Sequence, residues 1–173
     1  EMDRLEAANA LLDFAPRRLF FEKPLAGEHG QADVREKDFA DARDMLRRAV
    51  QCQCETAMVF NYRFFDQTLR ARRIVADRSF GKVVNVTGLI HYACWSHGID
   101  LVHHFADPIV ELTALQSDQI KGDRSPARDV TAAFRTASDA TGTLIGTSTL
   151  SWDFPLFELT FNFEAGRLHF RDL

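Results

Sequence analysis

The chain has 173 residues, 46% of them hydrophobic and 27% charged, with a net charge of -4. That length and balance fit one globular domain, or one domain and a piece of another, and they exclude a disordered, collagen-like or repeat protein. The negative charge gives no electrostatic case for nucleic acid, and no apolar run reaches the ~18 residues needed to span a bilayer, so neither nucleic acid nor a membrane is an expected partner.

Met2, Leu5, Ala8, Leu11 and Leu12 recur at helical spacing and predict a first helix over 2–14, ended by Pro16. The short apolar run Arg18-Leu19-Phe20-Phe21-Glu22 reads as a strand closed by Lys23-Pro24. A polar loop with Gly27 and Gly30 fills 25–37, and Asp38 is the expected cap of a helix over 39–51. Its apolar stripe is Phe39, Ala42, Met45, Leu46, Ala49 and Val50. A second short strand follows over 56–60. Helix, strand, loop, helix, strand is the pattern of the end of a parallel, doubly wound α/β sheet.

The pattern changes near Asn61 to Phe65. A helix is expected over 66–78, stopped by Phe80-Gly81, and its Arg70, Arg72 and Arg73 read as a solvated face. A strand over 83–92, a short helix over 98–105 and strands over 109–115, 128–136, 142–152, 156–163 and 167–170 complete the chain. Turn signals at 138–142, Asp153-Phe154-Pro155 and Ala165-Gly166 separate the later strands. Leu159, Phe161 and Phe163 alternate with Thr160 and Asn162, as in a sheet with one buried face. The fifteen phenylalanines argue for a substantial core or interface. The domains expected are 1–62, a remnant of an α/β domain, and 63–173, an α+β domain with a largely antiparallel open sheet. No G-x-G-x-x-G precedes the first strand, and both ends read as cut from a longer chain.

Three cysteines, Cys52, Cys54 and Cys94, are an odd number without a C-x-x-C pair, so neither a zinc site nor a disulfide framework is expected. Cys52 and Cys54, two apart at a strand entry, are read as sharing one face, as small hydrophobes in a reducing cytosol.

Three segments could carry chemistry. Lys23 stands at the carboxyl end of a sheet strand, where α/β sheets bind ligands, and Pro24 fixes the chain beyond it. Such a lysine could polarise a substrate oxygen or relay a proton, or it is a surface lysine before a loop. In Cys94-Trp95-Ser96-His97-Gly98-Ile99-Asp100, Ser96 can cap a helix, and His97 and Asp100 face the same side of its first turn. A histidine there tends to stay neutral beside the positive helix end and can take a proton, or the pair only braces the helix. Asp100 and His104 also lie four apart, but two groups are too few for a metal site. Arg63, in Asn61-Tyr62-Arg63-Phe64, could clamp a polar substrate or pin the two domains together.

In this order the segments resemble the Gfo/Idh/MocA oxidoreductase family, the type of glucose–fructose oxidoreductase and inositol dehydrogenase. The resemblance rests on Glu22-Lys23-Pro24, Asn61 to Phe64, Gly81-Lys82-Val83, Ser96-His97 with Asp100-Leu101, and Gly166-Arg167-Leu168. It implies the closing part of a Rossmann domain followed by a substrate-binding and oligomerisation domain. It further implies hydride transfer between NAD or NADP and a carbon of a sugar, inositol or related polyol, in a cytoplasmic homo-oligomer associating through its open sheet. Lys23 and His97 carry over as catalytic, and Glu22, Lys23 and Pro24 as cofactor-side residues. Arg63, Tyr92, Trp95, His97 and Asp100 carry over to the substrate cleft. Ala93 departs from the family, many of whose members have an aspartate four residues before the histidine; Asp100-x-x-x-His104 is a rival register with that spacing. The piece by itself is expected to be inactive. The competing expectation is a non-catalytic ligand-sensing or dimerisation module on the same scaffold.

Overall fold

The structure, a computed structural model, describes residues 4–27, 35–120, 128–148 and 156–173. The chain divides into two compact units, Glu1–Phe60 and Asn61–Leu173.

The first unit runs α1 (Arg4–Leu12), β1 (Arg18–Phe21), α2 (Glu36–Gln51) and β2 (Glu55–Met58). β1 and β2 pair in parallel, with Arg18 opposite Glu55 and Phe21 opposite Met58. Ala8, Leu12, Phe21, Met45, Ala49 and Cys54 form its core. Arg48 of α2 crosses to α1, donating to the Asn9 carbonyl at 2.9 Å and to the Asp13 carboxylate.

Several expectations are corrected here. α2 begins at Glu36, so Asp38 lies within its first turn. The Asp38 carboxylate accepts the Arg35 N–H at 2.9 Å, the reciprocal half of a capping arrangement. Of the apolar stripe on α2, Met45 and Ala49 are buried, whereas Phe39, Leu46 and Val50 are exposed, as is Leu11 on α1. Two strands offer too narrow a surface to cover stripes of that width. Phe14, Phe20, Phe39 and Phe64 are all largely exposed, so the phenylalanine count overstates the core. Cys52 closes α2 and Gln53 takes a left-handed φ of 57°. That turn separates Cys52 from buried Cys54, and the two share no strand face.

The second unit opens with a 3-10 turn (Asn61–Phe64) and α3 (Asp66–Asp77). β3 (Val83–His91), a 3-10 turn (Tyr92–Cys94) and α4 (Trp95–Ala106) follow, and then β4 (Ile109–Ile120), β5 (Arg128–Thr136), β6 (Thr141–Thr147), β7 (Phe157–Phe163) and β8 (Gly166–Arg171). The six strands form one sheet in the order β4-β5-β6-β3-β7-β8. Four pairings are antiparallel and one, β3 with β6, is parallel. α4 starts at Trp95, three residues before the expected point, so Ser96 lies inside the helix and does not cap it. Gly166 opens β8, and the turn before it is Glu164-Ala165. Met2, Gly30, the end of the strand expected over 142–152 and the turn at Asp153-Phe154-Pro155 lie outside the described residues.

Period-two alternation on β7 buries Phe157, Leu159, Phe161 and Phe163. They join Val86 and Ile90 of β3 and Leu101, Val102 and Ala106 of α4 in one core. Each of these Phe, Leu, Val and Ile side chains contributes roughly 1.5–3 kcal/mol by leaving water. On the opposite face Thr87, Thr131 and Ala133 are exposed, and Leu89, Thr143 and Thr160 are half-buried. α4 sits close on β3 because Gly98 has no side chain: a Cβ there would lie 2.2 Å from Cδ1 of Ile90.

Candidate active site

Glu22, Lys23 and Pro24 belong to the first unit. β1 ends at Phe21, and the chain turns at once, with Lys23-Pro24 in the cis form. Arg4 of α1 donates to the Glu22 carbonyl at 2.9 Å and to the Pro24 carbonyl. The backbone is therefore tied down on both sides of Lys23. The Glu22 carboxylate accepts the Lys23 backbone N–H at 3.2 Å. Lys23 itself is half-buried at the carboxyl end of a parallel strand, the end where open α/β sheets take ligands.

The other expected residues belong to the second unit, around the first turn of α4. His97 is the third residue of that helix and is buried. Asp100, one turn on, has a side chain only 4% exposed, and both its oxygens accept from Arg63, at 2.6 Å from Nε and 2.5 Å from Nη2. This bidentate bond raises the Arg63 pKa further above its ordinary value. Arg63 thus pins the Asn61–Phe64 turn to α4 inside one unit; its hydrogen-bonding capacity toward Asp100 is used in that brace.

Tyr92 lies in the turn before α4 and packs its ring against His91, centroids 4.7 Å apart. His91 is fully buried, and its Nδ1 accepts the Ala93 N–H at 3.4 Å. Trp95 lies over Gly146 of β6, where a Cβ would come within 2.6 Å of the indole ring. The Trp95 indole N–H is buried without a hydrogen-bond partner among the described residues. A buried donor left unpaired costs ~1–3 kcal/mol, which marks this spot as one where a polar acceptor is useful.

Tyr62, which the sequence marked only as part of a motif, stacks on His97. Their rings are parallel within 4° and their centroids 4.1 Å apart. The Tyr62 hydroxyl meets Cys94 Sγ at 3.5 Å. Burial, then the bond to Cys94, pushes the Tyr62 hydroxyl pKa upward, so it stays protonated. The available signal was spacing: Cys94, at the end of the turn, and His97 and Asp100, on the first turns of α4, recur every three residues. His104, of the rival register, sits instead against Arg72, whose Nη1 is 3.4 Å from its Nε2.

No family model and no curated protein matches the chain. Solved structures do. Levoglucosan dehydrogenase, in a complex with NADH and levoglucosan, superposes with a TM-score of 0.77 at 15% identity, over 98% of this chain and 51% of its own. The WlbA dehydrogenase from Bordetella pertussis, in a complex with NADH and UDP-GlcNAcA, gives 0.73 at 16% identity, over 96% and 55%. A myo-inositol dehydrogenase from Corynebacterium glutamicum gives 0.71 at 15%, over 99% and 54%. The chain therefore has the fold of these dehydrogenases and spans about half their length. The fold class and the structural likeness expected from the motifs are borne out. No described helix is long and apolar enough to cross a membrane.

Proposed function

We propose that this chain is part of an NAD(P)-dependent dehydrogenase of the Gfo/Idh/MocA kind that oxidises a hydroxyl-bearing carbon of a sugar, inositol or related polyol. The observation that carries this reading is His97: a buried imidazole in the first turn of α4, stacked on Tyr62 and flanked by the Arg63–Asp100 pair. Such a group is held in one orientation, as a proton acceptor must be.

In the proposed reaction, the C–H bond of the substrate carbinol breaks with its electron pair. His97 takes the hydroxyl proton, leaving a carbonyl. When bound, the nicotinamide supplies the acceptor for the hydride. Lys23, on its tied-down corner, steadies the oxygen that develops charge. Trp95 and Tyr92 line the substrate side. Asp100 and Arg63 brace the helix that carries His97. The residues that fit the cofactor in this chain are Glu22, Lys23 and Pro24, at the nicotinamide end; by itself the chain is read as inactive. The open sheet face is read as the contact between subunits of a homo-oligomer.

The test uses the full-length protein with NAD and NADP against a panel of sugars and polyols. Turnover that is lost in Lys23→Met and His97→Ala, with substrate binding retained, supports the assignment. Unchanged turnover in both sinks it. Ala93 favours one rival, a ligand-sensing relative, and that reading predicts sugar binding without turnover in the unaltered protein.

A further inference from the structure

The Asn61–Phe64 turn and the start of α4 meet at three points. Tyr62 bonds through its hydroxyl to Cys94 and stacks its ring on His97, while Arg63 takes both oxygens of Asp100. Two consecutive residues of one turn thus engage three positions of the other segment, each three residues apart. Tyr62 also stacks on Phe65 at 4.8 Å and packs against Phe157 at 5.4 Å. Phe65 and His97 cannot occupy the same face of the phenol ring, so Phe65, Tyr62 and His97 stack in series. One face of the imidazole is thus covered from outside its own helix.

We infer that Tyr62 is a positioning residue for His97: its ring fixes the imidazole plane, its hydroxyl ties the ring to the approach to α4, and Arg63 on Asp100 keeps the two segments in register. The inference rests on the reading of His97 as proton acceptor only for its kinetic consequence, because the stack itself is a matter of geometry. A proton acceptor that rotates about its χ2 loses alignment with the hydroxyl it must reach, and small misplacements of reacting groups are costly. A side chain at position 62 that fills space without a flat face would retain the packing against Phe157 and lose control of the ring.

The test has a spectroscopic and a kinetic arm. With histidine labelled by 13C and 15N in this chain, the His97 ring protons are expected upfield of the other histidines, under the phenol ring current, with cross-relaxation to the Tyr62 ring. Tyr62→Phe keeps the upfield shift, and Tyr62→Leu abolishes it. A His97 ring at ordinary shift in the unaltered chain, with no cross-relaxation to Tyr62, overturns the inference even if the leucine variant does not fold. In the full-length protein, kcat of Tyr62→Leu is expected to fall about tenfold at nearly constant KM, a fraction of the roughly 10²–10⁴ that a placed acid or base supplies, and Tyr62→Phe restores it. If His97→Ala abolishes turnover while folded Tyr62→Leu keeps its kcat, the positioning role fails and the catalytic reading stands. If His97→Ala leaves turnover intact, the catalytic reading fails, and the spectra alone decide whether Tyr62 fixes the ring.

Discussion

Removing Arg63 gives the sharpest test of how the site is held together. In Arg63→Ala the Asp100 carboxylate, 4% exposed, is left without its two short hydrogen bonds. Breaking a buried pair from the side that strands the buried charge costs about 3–5 kcal/mol. Arg63 is itself 38% exposed, so water can enter the gap it leaves, and the lower end, about 3 kcal/mol, applies. For a chain of this size that corresponds to a fall of roughly 6–12 °C in Tm. Asp100→Ala strands only the partly wet guanidinium and should cost about half as much. The double variant Arg63→Met with Asp100→Leu should recover much of the loss, because no charge is then left buried. Thermal and urea unfolding of the four proteins, followed by circular dichroism, read these differences. Equal small losses of under about 1 kcal/mol in both single variants, or a double variant no better than Arg63→Ala, would refute the reasoning.

Gly98→Ala sets about 1 kcal/mol of improved helix propensity against about 1–3 kcal/mol of overpacking on Ile90; a net loss near 1 kcal/mol is expected, and adding Ile90→Val should reverse it in urea titrations. Gly146→Ala should displace the Trp95 indole from β6; in a Trp152→Phe background the change is read as a shift of tryptophan emission, and unaltered emission contradicts the close approach. Burial first, then Arg72 and Arg63, hold His104 below the ordinary imidazole pKa of 6.5, and burial first does the same for His103. The unfolded chain therefore binds these protons at higher pH than the folded one. Their contribution is complete above pH ~6.5 and is lost as pH falls below it. His104→Gln should flatten the urea midpoint against pH between about 7 and 5, and an unchanged slope counts against the burial.

The parts of this fold that could be read in the sequence are those governed by short-range periodicity. β7 declared itself by alternation, and Phe157, Leu159, Phe161 and Phe163 are the residues it buries. Periodicity said less about how much surface a partner would cover. Phe39, Leu46 and Val50 follow a helical stripe as faithfully as Met45 and Ala49, and only the latter reach a core. Ser96 looked like a cap because serine is favoured at helix N-caps, but the Tyr92–Cys94 turn delivers the chain to α4 earlier. Arg63 was read as a substrate clamp or as a pin between two domains; its bond to Asp100 is a brace inside one unit, through a contact that no local pattern encodes. Tyr62 was hardest to see: an aromatic side chain has no signature that distinguishes a core ring from one laid on a histidine across an intervening helix and strand.

The single parallel pairing at the middle of the sheet has a consequence for the order of assembly. β3, which leads into His97, precedes the other five strands in sequence yet lies between β6 and β7, with Asn85 opposite Thr141 on one side and Asn162 on the other. At roughly 5–20 residues per second, the ~70 residues separating His91 from Phe163 take about 4–14 s to emerge from a ribosome. Until β6 emerges, the central strand has neither neighbour; until β7 emerges, it has only one, and its closing loops are long. Nascent chains halted before β7 should therefore be readily cut by protease within 83–91, and chains extended past Phe163 should resist.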